Sequence, residues 1–432
     1  MAADTTQTRT GPPGGGRAWL IWFLGASCFG YAFFHRVTPS VMVADLMREF
    51  AVGAAVLGNL SALYFYTYAG LQIPVGVMID RWGARAMIAI SVTLAAAGGL
   101  MFALAPTIYP AYAARLLIGA GSAVAFVATL TLVSRWFPPH RFAFLSGMTM
   151  MVGLAGGIGS QGPLAYVVER IGWRDLQLAG AGFGFALALA VWLVVRNAPG
   201  PRTRRIVPPV PGTRPGLAAT LASVVVRPRI WNIALVAAAL SGPMLAFGGL
   251  WGVPYLMLRF GLARPDAAFC TSLLFIGWAV GAPVGGWLSD HLGLRKTPLV
   301  IAAGLPLAAM MVLFFAPGVS VTIAAAIIFF IGLSSSMMVL CFALAREISP
   351  AATHGSVTGF VNAFTVGSGA LLQPIIGLML DWQWDGTMAE GVRVYTVEAY
   401  NLAFLSLIAS GVLGLVCAAM VPETRCRPLE VT

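Results

Sequence analysis

The sequence predicts an all-α polytopic membrane protein, with twelve transmembrane helices arranged as two pseudo-symmetric six-helix bundles. Three observations predict it: an apolar composition, twelve apolar runs of membrane-crossing length, and an internal repeat. Of the 432 residues, 59% are hydrophobic and 9% charged, whereas a soluble domain carries about 25% charged residues. So little polar surface cannot cover a soluble fold of this size, and the solvent for most of the chain is lipid.

The apolar runs lie at 18–44, 55–79, 85–105, 111–134, 143–168 and 175–195, then at 230–258, 267–289, 297–316, 319–344, 355–380 and 399–421. At 1.5 Å per residue each approaches or exceeds the roughly 30 Å hydrocarbon core. Pro74, Pro163, Pro243, Pro254, Pro283 and Pro374 fall inside them. Between packed membrane helices such prolines are tolerated, because neighbours satisfy the freed backbone groups.

The repeat is carried by Gly76-Val-Met-Ile-Asp80-Arg81-Trp-Gly83-Ala-Arg85, which returns as Gly286-Trp-Leu-Ser-Asp290-His291-Leu-Gly293-Leu-Arg295. A second echo relates Gly147, Gly157 and Gln161 to Gly359, Gly369 and Gln373. Repeated halves within an apolar chain point to a secondary transporter. The expected organisation is a cytosolic tail at 1–17, a first bundle at 18–195, a cytosolic linker at 196–229, a second bundle at 230–421 and a cytosolic tail at 422–432. The linker interleaves seven arginines with seven prolines; it reads as a solvated tether whose arginines rest against anionic headgroups.

The net charge of +11 does not point to nucleic acid, because the basic residues are scattered between apolar runs rather than gathered on one soluble face. Their distribution orients the chain instead. Eighteen Lys and Arg fall on the side of the Gly76–Arg85 loop and six on the other, which places that loop and both termini in the cytosol. The acids lean outward, with Asp381, Asp385, Glu390 and Glu398 between the last two runs. The scarcity of lysine and the load of Ala and Gly are associated with a GC-rich bacterial genome, and the expected location is a bacterial cytoplasmic membrane. The five cysteines lack CxxC spacing and imply neither disulfides nor a metal site.

The G-x-x-x-D-R-x-G-x-R loop, Arg115-x-x-x-Gly119 in helix 4 and the Gly-rich run from Gly147 to Pro163 resemble the major facilitator superfamily over essentially the whole chain. The resemblance implies two bundles that rock around a central cavity lined by helices 1, 4, 7 and 10. It also implies that Gly76, Asp80, Arg81, Gly83 and Arg85, with Asp290 and Arg295, latch the outward-facing state.

Arg36 and Arg115 are the only fully charged residues inside the runs away from their ends, and no Asp or Glu accompanies them. A charge within the membrane is costly and by default functional. Along the helix Arg36 lies about 13 Å from Asp45 and Arg115 about 8 Å from Pro110, so both fall in the outer half. A guanidinium grips carboxylate or phosphate through two parallel hydrogen bonds, and a small organic anion is therefore the expected cargo. The competing readings are snorkelling for Arg36 and interhelical hydrogen bonding to carbonyls for Arg115.

Arg36-Val-Thr-Pro-Ser, Arg115-Leu-Leu-Ile-Gly119 and Arg135-Trp-Phe-Pro-Pro-His-Arg141 are most similar to the anion:cation symporter branch. That branch places an Asp before the helix 1 arginine and a Glu seven positions after the helix 4 arginine; both are thought to carry the coupling proton. Here His35 and Ser122 stand there. Ser122 cannot titrate; His35 is either a proton carrier or a packed ring. Coupling to protons and exchange for a counter-anion both remain open.

Tyr64, Tyr68 and Gln72 in helix 2, with Trp251 and Tyr255 in helix 7, are further candidates for lining the cavity. No nucleotide-binding loop, HExxH motif or intramembrane carboxylate pair is present, so neither an enzyme nor a cofactor is expected. The alternatives are an efflux carrier for neutral or amphipathic compounds and a transporter-like anion sensor. The expected assembly is a monomer in the bilayer.

Overall fold

The computed structural model describes residues 15–138, 141–199, 225–350 and 353–427. The middle of the Pro/Arg-rich linker, residues 200–224, lies outside them. Ten helices among the described residues are long and apolar enough to cross a membrane, and an eleventh arises where Val43–Phe50 and Ala54–Gln72 meet at 112°. The remaining expected span is the shorter apolar helix Phe142–Gly159.

In chain order, span 1 is Gly16–Val37, closed by the tight turn Thr38–Val41 that Pro39 initiates. The short helix Val43–Phe50 then leads into span 2, Ala54–Trp82. Span 3 is Ala84–Ala103, and span 4 is Ile108–Ser122 continued by Ala125–Trp136. Span 5 departs from the single helix expected at 143–168. Phe142–Gly159 ends at Ser160, Gln161 adopts φ −100° and ψ −109°, and the helix resumes at Gly162, where Pro163 suits a helical first turn. Gly172, at φ +81° and ψ 161°, makes the turn into span 6, which ends at Val194. Only glycine takes that conformation without strain.

In the second half, span 7 is Pro228–Gly242, the π-helical stretch Pro243–Trp251 and Gly252–Phe260. Span 8 is Arg264–Leu292 and span 9 Lys296–Phe315. Span 10 is Val321–Ser335, extended through Ser336–Met338 to Glu347. Span 11 is His354–Trp382, and span 12 is Val397–Ala403 with Leu405–Met420. A two-stranded hairpin, β1 Met388–Ala389 and β2 Val392–Arg393, connects the last two.

The packing repeats as the sequence does. Span 1 lies on 5, span 2 on 4 and span 3 on 6; in the second half 7 lies on 11, 8 on 10 and 9 on 12. The halves meet where span 2 packs against span 11 and span 5 against span 8. Phe23, Phe183, Leu189, Phe269, Leu413 and Val416 are exposed on the outside, as an exterior solvated by lipid tails requires. Small residues let the spans approach closely. A Cβ added at Gly58 would lie 2.6 Å from the carbonyl of Gln373, and one at Gly377 2.3 Å from that of Ala54.

These contacts are unequal along the interface. On the face opposite the Gly76–Arg85 loop the halves are joined by Asp45–Arg264, Arg48–Glu390 and the contacts of Asp381 with Ala54 and Ala55. Toward the motif face, the last cross-bundle hydrogen bond among the described residues is Asn362 to Gln72, at 3.0 Å. Beyond it, a Cβ added at Gly76, Gly355 or Gly359 would meet nothing within 4 Å. Among the described residues the halves are joined on one face and parted on the motif face.

Candidate functional site

Arg36 sits in the last turn of span 1 and is 5% exposed. Its guanidinium carbon lies 4.4 Å from the ring centre of Phe33, 4.9 Å from that of Tyr68 and 5.6 Å from that of Tyr64. Phe33 is nearly one turn earlier on the same helix; Tyr64 and Tyr68 are one turn apart on span 2 and stack at 5.8 Å. Aromatic faces attract a cation without neutralising it. No carboxylate pairs with Arg36 among the described residues, and its Nε and Nη2 have no hydrogen-bond partner. These two nitrogens share one edge of the guanidinium, the edge that grips a carboxylate in parallel.

Arg115, 2% exposed, is committed differently. Its Nη1 donates to the carbonyl of His35 at 2.8 Å and its Nη2 to that of Ser61 at 3.4 Å, so it fastens span 4 to spans 1 and 2. The last carbonyls of a helix lack intrahelical partners and carry partial negative charge, and Arg115 answers both needs at the end of span 1. Tyr64 links the two arginines: its ring centre is 5.2 Å from the Arg115 guanidinium, and its hydroxyl donates to the carbonyl of Ala32.

His35 points elsewhere. Its ring meets Tyr31 edge-on at 4.5 Å and Phe34 at 5.0 Å, and a Cβ on Gly99 of span 3 would lie 3.2 Å from its Cε1. Neither ring nitrogen has a hydrogen-bond partner. The rotation between successive helical positions thus directs Arg36 toward span 2 and His35 into the first bundle.

Gln72, one turn beyond Tyr68, accepts from Asn362 and donates to the carbonyl of Ala123 in the break of span 4. Asn362 joins the candidates through this bond, and its signal in the sequence is a polar side chain inside an apolar run. Trp251 and Tyr255 are both fully buried, and their polar contacts lie within the second half. Trp251 donates to the carbonyl of Gln373 at 3.1 Å, and Tyr255 donates to Asn401 among Phe247, Phe314 and Phe404. The structure therefore gathers Arg36, Tyr64, Tyr68 and Arg115, sets Gln72 beside them, and commits the polar atoms of Trp251 and Tyr255 to partners within the second half.

The two motif copies also differ. In the first, Gly83 has φ +82°, the backbone amide of Arg85 donates to Asn197, and the Arg85 guanidinium rests on Trp192 and donates to its carbonyl. Arg81 is exposed, and the side chain of Asp80 lies outside the described set. In the second, Arg295 pairs with Asp290 at 2.8 Å and with Glu347 of span 10 at 2.9 Å. Glu423 accepts from the backbone amides of Arg295 and Lys296, clasping the segment after span 12 to the span 8–9 loop.

The Major Facilitator Superfamily family model matches residues 22–374. The chain belongs to the major facilitator superfamily. Within this superfamily it is 27% identical over 341 residues to the "Probable nitrate/nitrite transporter NarK2" of Mycobacterium tuberculosis, covering 76% of this chain and 80% of the relative. It is 26% identical over 376 residues to the gentisate transporter of Corynebacterium glutamicum, covering 85% and 81%. It is 23% identical over 366 residues to the D-galactonate transporter of Escherichia coli, covering 79% and 84%. In fold it is similar to a bacterial homologue of the human lysosomal transporter Spinster, in an inward-facing and unoccupied conformation, with a TM-score of 0.74 at 18% identity over 94% of this chain and 96% of that one. This superfamily member is a multi-pass membrane transporter and not an enzyme.

Proposed function

We propose that the protein is a secondary carrier for a small organic anion, bound by Arg36 and moved across the cytoplasmic membrane by rocking of the bundles at 18–195 and 230–421. The observation that carries this reading is the unpaired Nε and Nη2 edge of a guanidinium that is 5% exposed and enclosed by Phe33, Tyr64 and Tyr68. A buried cation without a counter-charge is costly, and an anion presenting two oxygens to that edge relieves the cost. Relatives named for transporting gentisate and D-galactonate support the organic-anion class.

Arg115 contributes by shaping the end of span 1 and by its charge beside Tyr64, with only its Nε left without a partner. Taken with the excess of basic residues around the Gly76–Arg85 loop, the parted motif face is the cytosolic one, and the conformation described is inward-facing. The packing of His35 away from Arg36 favours exchange of one anion for another over proton coupling through that ring.

The test is uptake into proteoliposomes together with a thermal-shift screen over carboxylates, sugar acids and phosphate esters. A cognate anion stabilises the native state in proportion to its binding. Arg36→Ala should abolish both the thermal shift and the uptake while inserting normally, and full uptake at subsaturating anion would refute the assignment.

A further inference from the structure

On the closed face, span 2 begins without a cap of its own. Its N-cap position is Gly53, and no side chain of that residue accepts from the first amides. A helix start leaves amides unpaired and carries partial positive charge. Here the other bundle meets that need. The amide of Ala54 donates to Oδ1 of Asp381 at 3.1 Å and the amide of Ala55 to Oδ2 at 2.9 Å. The Tyr395 hydroxyl accepts from the Ala54 amide at 3.0 Å and donates to Asp381 at 2.6 Å, and Arg393 pairs with the same carboxylate at 3.1 Å.

Each partner is fitted to the other. Asp381 lies in the last turn of span 11, where the carbonyl end of its own helix disfavours a carboxylate. Gly53 is the residue that admits it, since a Cβ there would sit 2.6 and 2.7 Å from the carboxylate oxygens and 2.8 Å from Nη1 of Arg393. A Ser, Asp or Asn, the usual N-cap residues, would cap span 2 from within and exclude Asp381.

We propose that Asp381 is a state-specific cap, serving as the N-cap of span 2 only while the bundles are closed on this face, and so latching that conformation against the alternate one. Opening the face strands both partners: span 2 loses its cap, and Asp381 is left against its own helix end. The motif loop follows the opposite end of span 2, so the antiparallel pair of spans 2 and 11 is fastened at alternate ends in alternate states.

The test uses the full chain with its five cysteines changed to alanine and Val253 changed to cysteine, once that parent has been shown to transport. Val253 is 1% exposed and lines the cavity between the halves on the closed face. The readout is its rate of maleimide labelling in purified protein. Asp381→Asn and Gly53→Ser, made on opposite bundles, should each raise the rate on the order of tenfold, the scale of one lost N-cap. Melting temperatures should stay near the parent's. The double variant Gly53→Asp with Asp381→Asn caps span 2 from its own bundle and should still label fast. Parent-like labelling in both single variants, acceleration that tracks a fall in melting temperature, or restoration of the parent rate by the double variant would each overturn the latch; the last would reduce Asp381 to a helix cap.

Discussion

Arg115 donates a 2.8 Å hydrogen bond to the carbonyl of His35, the residue immediately before Arg36. Two arginines that look alike in the sequence are therefore bound differently, one to backbone carbonyls and the other to aromatic side chains. Removing Arg115 orphans the carbonyl of His35 and loses the longer hydrogen bond to the carbonyl of Ser61, at about 1.5–3 kcal/mol for each hydrogen bond to a charged group. Removing Arg36 deletes a charge that has no partner. Melting curves without anion should thus move in opposite directions, downward for Arg115→Leu and level or upward for Arg36→Leu. Equal losses in the two would contradict the difference in wiring.

The edge-on geometry at Arg36 separates charge from shape. Lysine keeps the charge and loses the fork, so Arg36→Lys should weaken anion binding on the order of tenfold and Arg36→Ala on the order of a hundredfold or more. Direct binding of a radiolabelled cognate anion measures both, and a lysine variant with native affinity would show that the fork is not used.

His35 offers a check on coupling. Its ring packs on Tyr31 and Phe34 with both nitrogens unsatisfied, and phenylalanine reproduces that packing. Anion counterflow and its response to an imposed pH gradient should be unchanged in His35→Phe. Loss of pH-driven accumulation with counterflow intact would instead establish His35 as the proton carrier.

Gly76 and Gly359 face open space on the parted side, although they belong to spans that pack tightly at the other end. On the proposed rocking, their small size is what lets that side close. Leucine at either position should leave the melting temperature near that of the wild type and reduce turnover by tenfold or more through trapping of the present conformation, in keeping with the population shift of one close contact, about 1.4 kcal/mol. Turnover at the wild-type rate would remove the steric argument.

The clasp at Arg295 carries a pH dependence with a definite sign. Burial works against the Glu423 carboxylate, but the backbone amides of Arg295, Arg425 and Lys296 outweigh it and hold the group below its ordinary 4.5. A depressed carboxyl stabilises the fold above its unfolded value, and the contribution is lost as the pH falls through the lower folded value. The wild type should therefore melt above Glu423→Gln near neutral pH, and the gap should close as the medium is acidified through the carboxylate range. A gap that widens in acid would refute the assignment.

The fold was legible because membrane solvation and glycine geometry act locally. Apolar runs give the spans, and the recurrence of Gly, Asp, Gly and Arg gives the halves. Arg36 was legible for the same reason, as a charge where lipid tolerates none. The commitments of Trp251 and Tyr255 were not, because only the partner helices show whether an aromatic face lines a cavity or fills a core. Nor could the cap of Ala54 by Asp381 be read, since the two lie 327 positions apart. The kink at Gln161 arose from glycines and a proline that a hydropathy reading counts as ordinary membrane helix.

Gln161 and Gln373 were matched as sequence equivalents, yet both reach the same nine residues of span 7. Gln161 donates to the carbonyl of Gly248 from the other bundle, and Gln373 to that of Leu245 from its own. The wide helical stretch Pro243–Trp251 is thus a component with two owners. On the rocking motion proposed above, parting of the bundles releases the Gln161 amide while the Gln373 amide, backed by Trp251 on the Gln373 carbonyl, keeps hold. Equivalent letters in a duplicated chain have become a rivet and a clutch, and on that motion span 7 travels with the bundle that keeps hold.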